Sequence, residues 1–106
     1  MKNSELLPPA VAHTVRAICE DYDRRKAEIG RGKLSAATLG HYMMLNAAID
    51  EALAGCCEEG IREIIRHDIG AGTGHRFTQL YFLSCNTYKE RKRKSKLAIA
   101  KALHLL

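Results

Sequence analysis

The residues best suited to chemistry lie close together late in the chain. Positions 84–94 read Ser-Cys-Asn-Thr-Tyr-Lys-Glu-Arg-Lys-Arg-Lys. An amide, several cations and one carboxylate in that span bind and discriminate; they do not make or break bonds. Ser84 suits a helix N-cap, because its hydroxyl can accept from a free N–H of the first turn. From there to position 106 there is neither Gly nor Pro, and Ala, Leu, Lys and Arg dominate, so one helix is expected throughout. At roughly 100° per residue, Tyr88, Ser95, Ile99, Ala102, Leu103 and Leu106 share one side. Asn86, Lys89, Glu90 and Arg93 share the other. An apolar stripe backed by an exposed amide and cations at the helix start is what a reader of the DNA major groove requires. The segment reads as the recognition helix of a helix-turn-helix.

Other reactive residue types lack the spacing their chemistry needs. His13, His41, His67, His75 and His104 are scattered, with no H-E-x-x-H or comparable ligand pattern. The four cysteines, Cys19, Cys56, Cys57 and Cys85, include no C-x-x-C, and the adjacent pair is badly spaced for shared metal ligation. His67-Asp68 could in principle meet Cys56-Cys57 as base and nucleophile, but no catalytic motif accompanies them. The glycines at 70, 72 and 74 lack the Lys-Ser/Thr of a P-loop and miss G-x-G-x-x-G, so they read as a spacer between helices. No catalytic residue, metal or cofactor is expected, and the histidines and cysteines read as structural or surface residues. Cys85 reads as a first-turn filler.

The elements that must hold the basic segment belong to one domain of 106 residues, 46% hydrophobic and 27% charged, a composition that excludes a disordered chain. Residues 1–70 carry nine Lys/Arg against eleven Asp/Glu, whereas residues 71–106 carry eight against one. A polyanion should therefore prefer the C-terminal third. No apolar run approaches the ~18 residues of a membrane span, and no secretory signal is evident near the start. The expectation is a cytoplasmic protein of a bacterial host, with reduced thiols and no membrane partner.

Patterning supplies the rest of an all-α fold. Residues 1–7 read as a loose tail, with Pro9 suited to a first helical turn. Val11, Val15, Ile18, Tyr22 and Ile29 mark one long N-terminal helical face, with residues 23–26 on its solvent side and Gly30 and Gly32 as its stop. Ser35 caps a second helix through Leu39, Tyr42, Met43, Asn46, Ile49 and Leu53, and Gly55 ends it. A third helix spans about 57–69, with Ile61, Ile64 and Ile65 inward. A flexible loop over 70–74 leads to a short helix at 75–82 with Phe77, Leu80 and Tyr81 inward. Period-two alternation is absent, so no sheet is expected. The chain divides into N-terminal helices (1–55) and a helix-turn-helix region (56–106) within one compact domain.

Residues 76–94 resemble the C-terminal helix-turn-helix of small phage transcription regulators of the RinA and ArpU types, which are similar to region 4 of sigma factors. Leu83, Ser84, Thr87 and Tyr88 match the turn pattern, positions 89–96 the basic run, and 97–106 the Leu/Ala tail. Residues 22–29, 48–53 and 61–66 are also similar to that group. The chain departs from the pattern at Phe82, where Gly is common, and at Thr78, where Ala is common.

The resemblance implies sequence-specific binding of double-stranded DNA at a promoter, with RNA polymerase and a second copy of the chain open as further partners. It implies a binding surface of Ser84, Cys85, Asn86, Thr87, Lys89, Glu90, Arg91, Arg93 and Lys94. Asn86 and Lys89 would meet base edges, since Asn suits adenine and Lys suits guanine. Arg91, Arg93 and Lys94 would meet phosphates. Glu90 would accept from a cytosine amine or, the favoured expectation, pair with Lys94 one turn on. The competing reading is a helical adaptor whose basic helix binds an acidic partner such as RNA polymerase. Nonspecific RNA binding is weaker, because the aromatics are few and mostly on inward stripes.

Overall fold

The computed structural model describes residues 7–72 and 83–106, which form five helices with no strand among them. These are α1 (Pro9–Glu20), α2 (Tyr22–Arg31), α3 (Ala36–Cys56), α4 (Glu59–Ala71) and α5 (Cys85–Ala102). The protein is all-α, as the patterning requires. The expected helix over 75–82, with positions 78 and 82, lies outside the described residues, as does the tail over 1–6.

The single N-terminal helix expected over 10–29 is instead divided at Asp21, whose φ and ψ are −90° and 2°. Asp is a weak helix-interior residue whose carboxylate competes for local donors; here it takes Nε and Nη2 of Arg24, both at 2.6 Å. The apolar face crosses the break, because Val15, Cys19 and Tyr22 are all buried. Gly32 ends α2 in the left-handed region at φ 70°, the conformation a glycine stop supplies. Ser35 caps α3 as expected, accepting from the Thr38 N–H at 3.2 Å.

Four further expectations are corrected. Met43 is 53% exposed rather than inward: the buried side of α3 is confined to its C-terminal half, at Asn46, Ile49, Ala52 and Leu53. Arg25 is 3% exposed rather than on the solvent side. Positions 70 and 71, expected in a loop over 70–74, belong to α4, which continues through Ala71 and stops at Gly72 with φ 72°; positions 73 and 74 lie outside the described residues. Gly70 is therefore inside the helix and buried, and a Cβ there would stand 2.9 Å from the Cα of Glu20. Only a residue without a side chain lets the α1 and α4 backbones cross so closely.

The fourth correction concerns the end of α5. It stops at Ala102 rather than running to 106: His104 takes φ 59°, its N–H donates to Lys101 O, and the Leu105 N–H donates to Ala100 O. These two bonds make a Schellman turn that satisfies carbonyls otherwise left open. Ala102 and Leu106, expected on the inward stripe, are exposed, while Ala100 is wholly buried. Leu97, which projects opposite the main apolar side, is half-buried where the helix is covered on two faces.

The helices pack across the 55/56 boundary, α1 against α4 and α3 against α5, with α5 also touching α1 and α4. One core unites Val15, Ile49, Leu53, Ile61, Ile65, Tyr88 and Ile99. Its buried charges are paired. Arg25 donates from Nε to Asn46 Oδ1 at 2.7 Å and from Nη2 to Ile18 O at 2.5 Å. Arg66 lies 3.9 Å from the Tyr22 ring centre and meets Asp23 at 3.3 Å. Buried charges without such partners would cost several kcal/mol, of order ~3–5.

Candidate nucleic-acid interface

The site is built on α5, and its start is set locally. Ser84 sits at φ −65°, ψ 154°, accepts from the Thr87 N–H at 3.0 Å and donates to Thr87 Oγ1 at 2.8 Å. The Ser84 hydroxyl is thereby committed to the cap, and Ser84 and Thr87 together orient the first turn. Cys85 is exposed beside them with a free thiol.

Three anchors fix which side of α5 faces out. Tyr88 is 1% exposed, and its hydroxyl donates to Asp68 Oδ2 at 2.5 Å. Lys92 reaches the other oxygen of Asp68 at 3.2 Å. Ser95 is wholly buried, donates to Arg91 O at 2.7 Å and lies 3.2 Å from Cys57 Sγ. Ile99 completes the inner stripe one turn later. With these positions inward, a helical rotation of roughly 100° per residue leaves Asn86, Lys89, Glu90 and Arg93 on the opposite side.

Those four residues line one shallow depression of about 230 Å³. Asn86 and Lys89 are exposed, as a reading face demands, and Lys94 is exposed on its flank. Neither Lys89 nor Lys94 has an ion pair among the described residues. Glu90 pairs with Arg93, whose Nε lies 2.7 Å away, and not with Lys94 as expected. The difference is geometric: Arg93 shares the depression with Glu90, and its planar fork meets a carboxylate better than a lysine point charge does. Arg91 leaves this face altogether, donating from Nε to Glu58 Oε1 at 2.9 Å. Beside it, the Glu58 carboxyl is held below the usual carboxylate range by that guanidinium. Of the nine residues expected at the surface, Asn86, Lys89, Glu90 and Arg93 are brought together, Lys94 adjoins them, and Arg91 faces α4.

The other reactive groups occupy separate places. Burial pushes the Cys57 thiol up from its ordinary range and so disfavours the thiolate, with the Ser95 bond only partly opposing it. His67 lies against Asp23 and Glu63, at 3.5 and 3.9 Å, while its sequence neighbour Asp68 turns into the core. Among the described residues no group of His, Cys, Asp and Glu has the arrangement to hold a metal ion, and no helix is long and apolar enough to cross a membrane.

Sequence reasoning missed the residues that bracket α5 from below. Asp68, which receives both Tyr88 and Lys92, stands out in the sequence only beside His67, as a conceivable base partner, because its true partners are twenty or more positions away. Lys92 and Lys96 carried a signal in their i, i+4 spacing on one side of α5, but Arg16 and His13, which share a crevice with them, carried none. Comparison of the chain with family models, with curated proteins and with solved structures gives no match.

Proposed function

We propose that this protein is a sequence-specific DNA-binding transcriptional regulator of the phage or prophage kind, acting in a bacterial cytoplasm and reading the major groove with the outer face of α5. The observation that carries this reading is the joint exposure of Asn86 and Lys89 on the first turns of a helix whose opposite side is pinned by Tyr88, Ser95 and Ile99. A helix about 10–12 Å across fits a major groove about 12 Å wide. Asn86 then faces an adenine edge and Lys89 a guanine. Arg93 and Lys94 meet the sugar-phosphate strands, and Arg91 joins them where a phosphate displaces Glu58. Binding, not catalysis, is the role this surface supports, and RNA polymerase is a partner the same basic helix can serve at a promoter.

Selection of bound sequences from a random duplex pool at physiological salt tests the reading. A preferred site should be held at least ~10³-fold more tightly than random duplex. Lys89→Ala should lose discrimination at one base position by about 1–3 kcal/mol, and Lys94→Ala should weaken all duplexes alike. If neither substitution alters duplex affinity, α5 is not the reading helix. Equal affinity for every duplex together with tight binding to an acidic protein surface would establish the adaptor reading instead.

A further inference from the structure

A second concave surface lies on the side of α5 next to the reading face. It is a crevice of about 240 Å³ between α1, the end of α4 and α5, lined by His13, Arg16, Ile69, Gly72, Lys92 and Lys96, with Ala12 at its edge. Three of these side chains are permanent or near-permanent cations and a fourth is an imidazole. Among the described residues its lining holds no carboxylate. Asp68, the acid that Lys92 reaches, is buried and is also engaged by Tyr88.

Two of these cations, Arg16 and Lys96, differ in how the fold places them. Arg16 donates from Nε to Gly70 O at 3.1 Å, across the close crossing of α1 and α4. Its Nη2 lies 3.9 Å from where a Gly72 Cβ would stand, so the guanidinium sits over the end of α4, and among the described residues its Nη donors have no hydrogen-bond partner. Lys96 is half-buried and has neither hydrogen bond nor ion pair among the described residues. Burial and the neighbouring Lys92 hold its ammonium below the usual lysine range, while Asp68 pulls the other way. A half-buried lysine beside a second lysine without its own counter-ion is an arrangement that an incoming anion stabilises.

We propose that this crevice binds a phosphate group, and that the phosphate is a backbone phosphodiester of the duplex lying along α5, with Arg16 and Lys96 as its principal ligands. Arg16 offers paired donors suited to phosphate oxygens, and Lys96 supplies a point charge from the facing helix. The source of the phosphate rests on the regulator reading given above. Position supports it: on a helix turning roughly 100° per residue, Lys92 and Lys96 adjoin Lys89, so the crevice borders the reading face. A strand flanking the groove occupied by α5 passes over that border. The contact is backbone-positioning, without base preference.

The test uses the full chain with Lys96→Gln and Arg16→Gln. Lys96 has no protein partner to lose among the described residues, so Lys96→Gln keeps the test intact if Arg16→Gln fails to fold. Affinity for the selected duplex is measured from 50 to 200 mM salt, and amide spectra are recorded with inorganic phosphate alone at constant ionic strength. The expected result is a log–log salt slope shallower by about 0.9 in Lys96→Gln, one phosphate contact's worth, with base preference unchanged. Phosphate should shift the amides of residues 13, 16, 72 and 96 in the wild type and not in Lys96→Gln. An unchanged slope with no phosphate-dependent shifts overturns the site while leaving groove reading intact. Phosphate shifts with an unchanged slope overturn its assignment to the DNA backbone and leave a site for a free phosphate. Phosphate shifts in a protein that prefers no duplex sequence refute the regulator reading and support the crevice as an oxyanion site.

Discussion

Gly70→Ala tests whether the α1–α4 crossing is as close as the structure has it. Inside a helix, replacing Gly by Ala ordinarily stabilises by up to about 1 kcal/mol, through lower backbone entropy in the unfolded chain and better helix propensity. At position 70 the new Cβ would stand 2.9 Å from Glu20 Cα and 3.0 Å from Glu20 N. Both are backbone atoms, which no rotamer change can move. Reaching ordinary contact requires the helices to part by about 0.5 Å at a crossing where Gly70 itself is buried. Overpacking of that kind costs about 1–3 kcal/mol, so the net expectation is a destabilisation of up to about 2 kcal/mol. Gly40 in α3 is the internal control, since nothing lies within 4 Å of a Cβ there. Gly40→Ala should gain the propensity term alone, about 0.5–1 kcal/mol.

Urea unfolding with a shared slope reads the two variants against the wild type. The difference between them isolates the steric term and should be about 1–3 kcal/mol, or several degrees in Tm, at about 4–8 °C per kcal/mol for a domain near this size. If Gly70→Ala is as stable as Gly40→Ala, the helices do not cross backbone to backbone, and the placement of Arg16 over the end of α4 loses its basis.

Two further outcomes follow from the buried polar groups. Asn46→Ala removes the acceptor of the Arg25 Nε–H and the donor to Tyr22 O. Leaving a buried guanidinium N–H unsatisfied should cost about 1–3 kcal/mol in urea unfolding, whereas a loss below a few tenths would mean that water reaches Arg25. Cys19 gives an alkaline signature: burial pushes its thiol from 9.0 up to about 11, against the opposing pull of Arg66 and Arg25. Because the unfolded thiol ionises first, the unfolded state binds fewer protons between those values, and stability falls as pH rises through that window. At 1.36 kcal/mol per unit the loss is of order ~3 kcal/mol. Unfolding midpoints from pH 8 to 11 should be flatter in Cys19→Ala, and identical slopes would show that this thiol is not the group responsible.

Much of the helical content and one face of the candidate site were legible because they depend on local rules. Ser35 and Ser84 cap, Gly32 stops, and Tyr88, Ser95 and Ile99 turn inward, since hydroxyl geometry, left-handed backbone and a repeat of 3.6 residues act within a few positions of the chain. The exposure of Asn86 and Lys89 follows from the same repeat. Only the tertiary structure decided which charges would be consumed internally. Arg25 is buried because Asn46 and Ile18 O meet it, Arg91 turns aside because Glu58 lies across from it, and Lys92 is drawn to Asp68. It also decided that Gly70 would be a crossing point instead of a loop, and that Arg16 would share a crevice with Lys96. Each of these joins residues separated by more than a helical turn in sequence, and pairings at that distance are set by how helices pack, not by the pattern along any one of them.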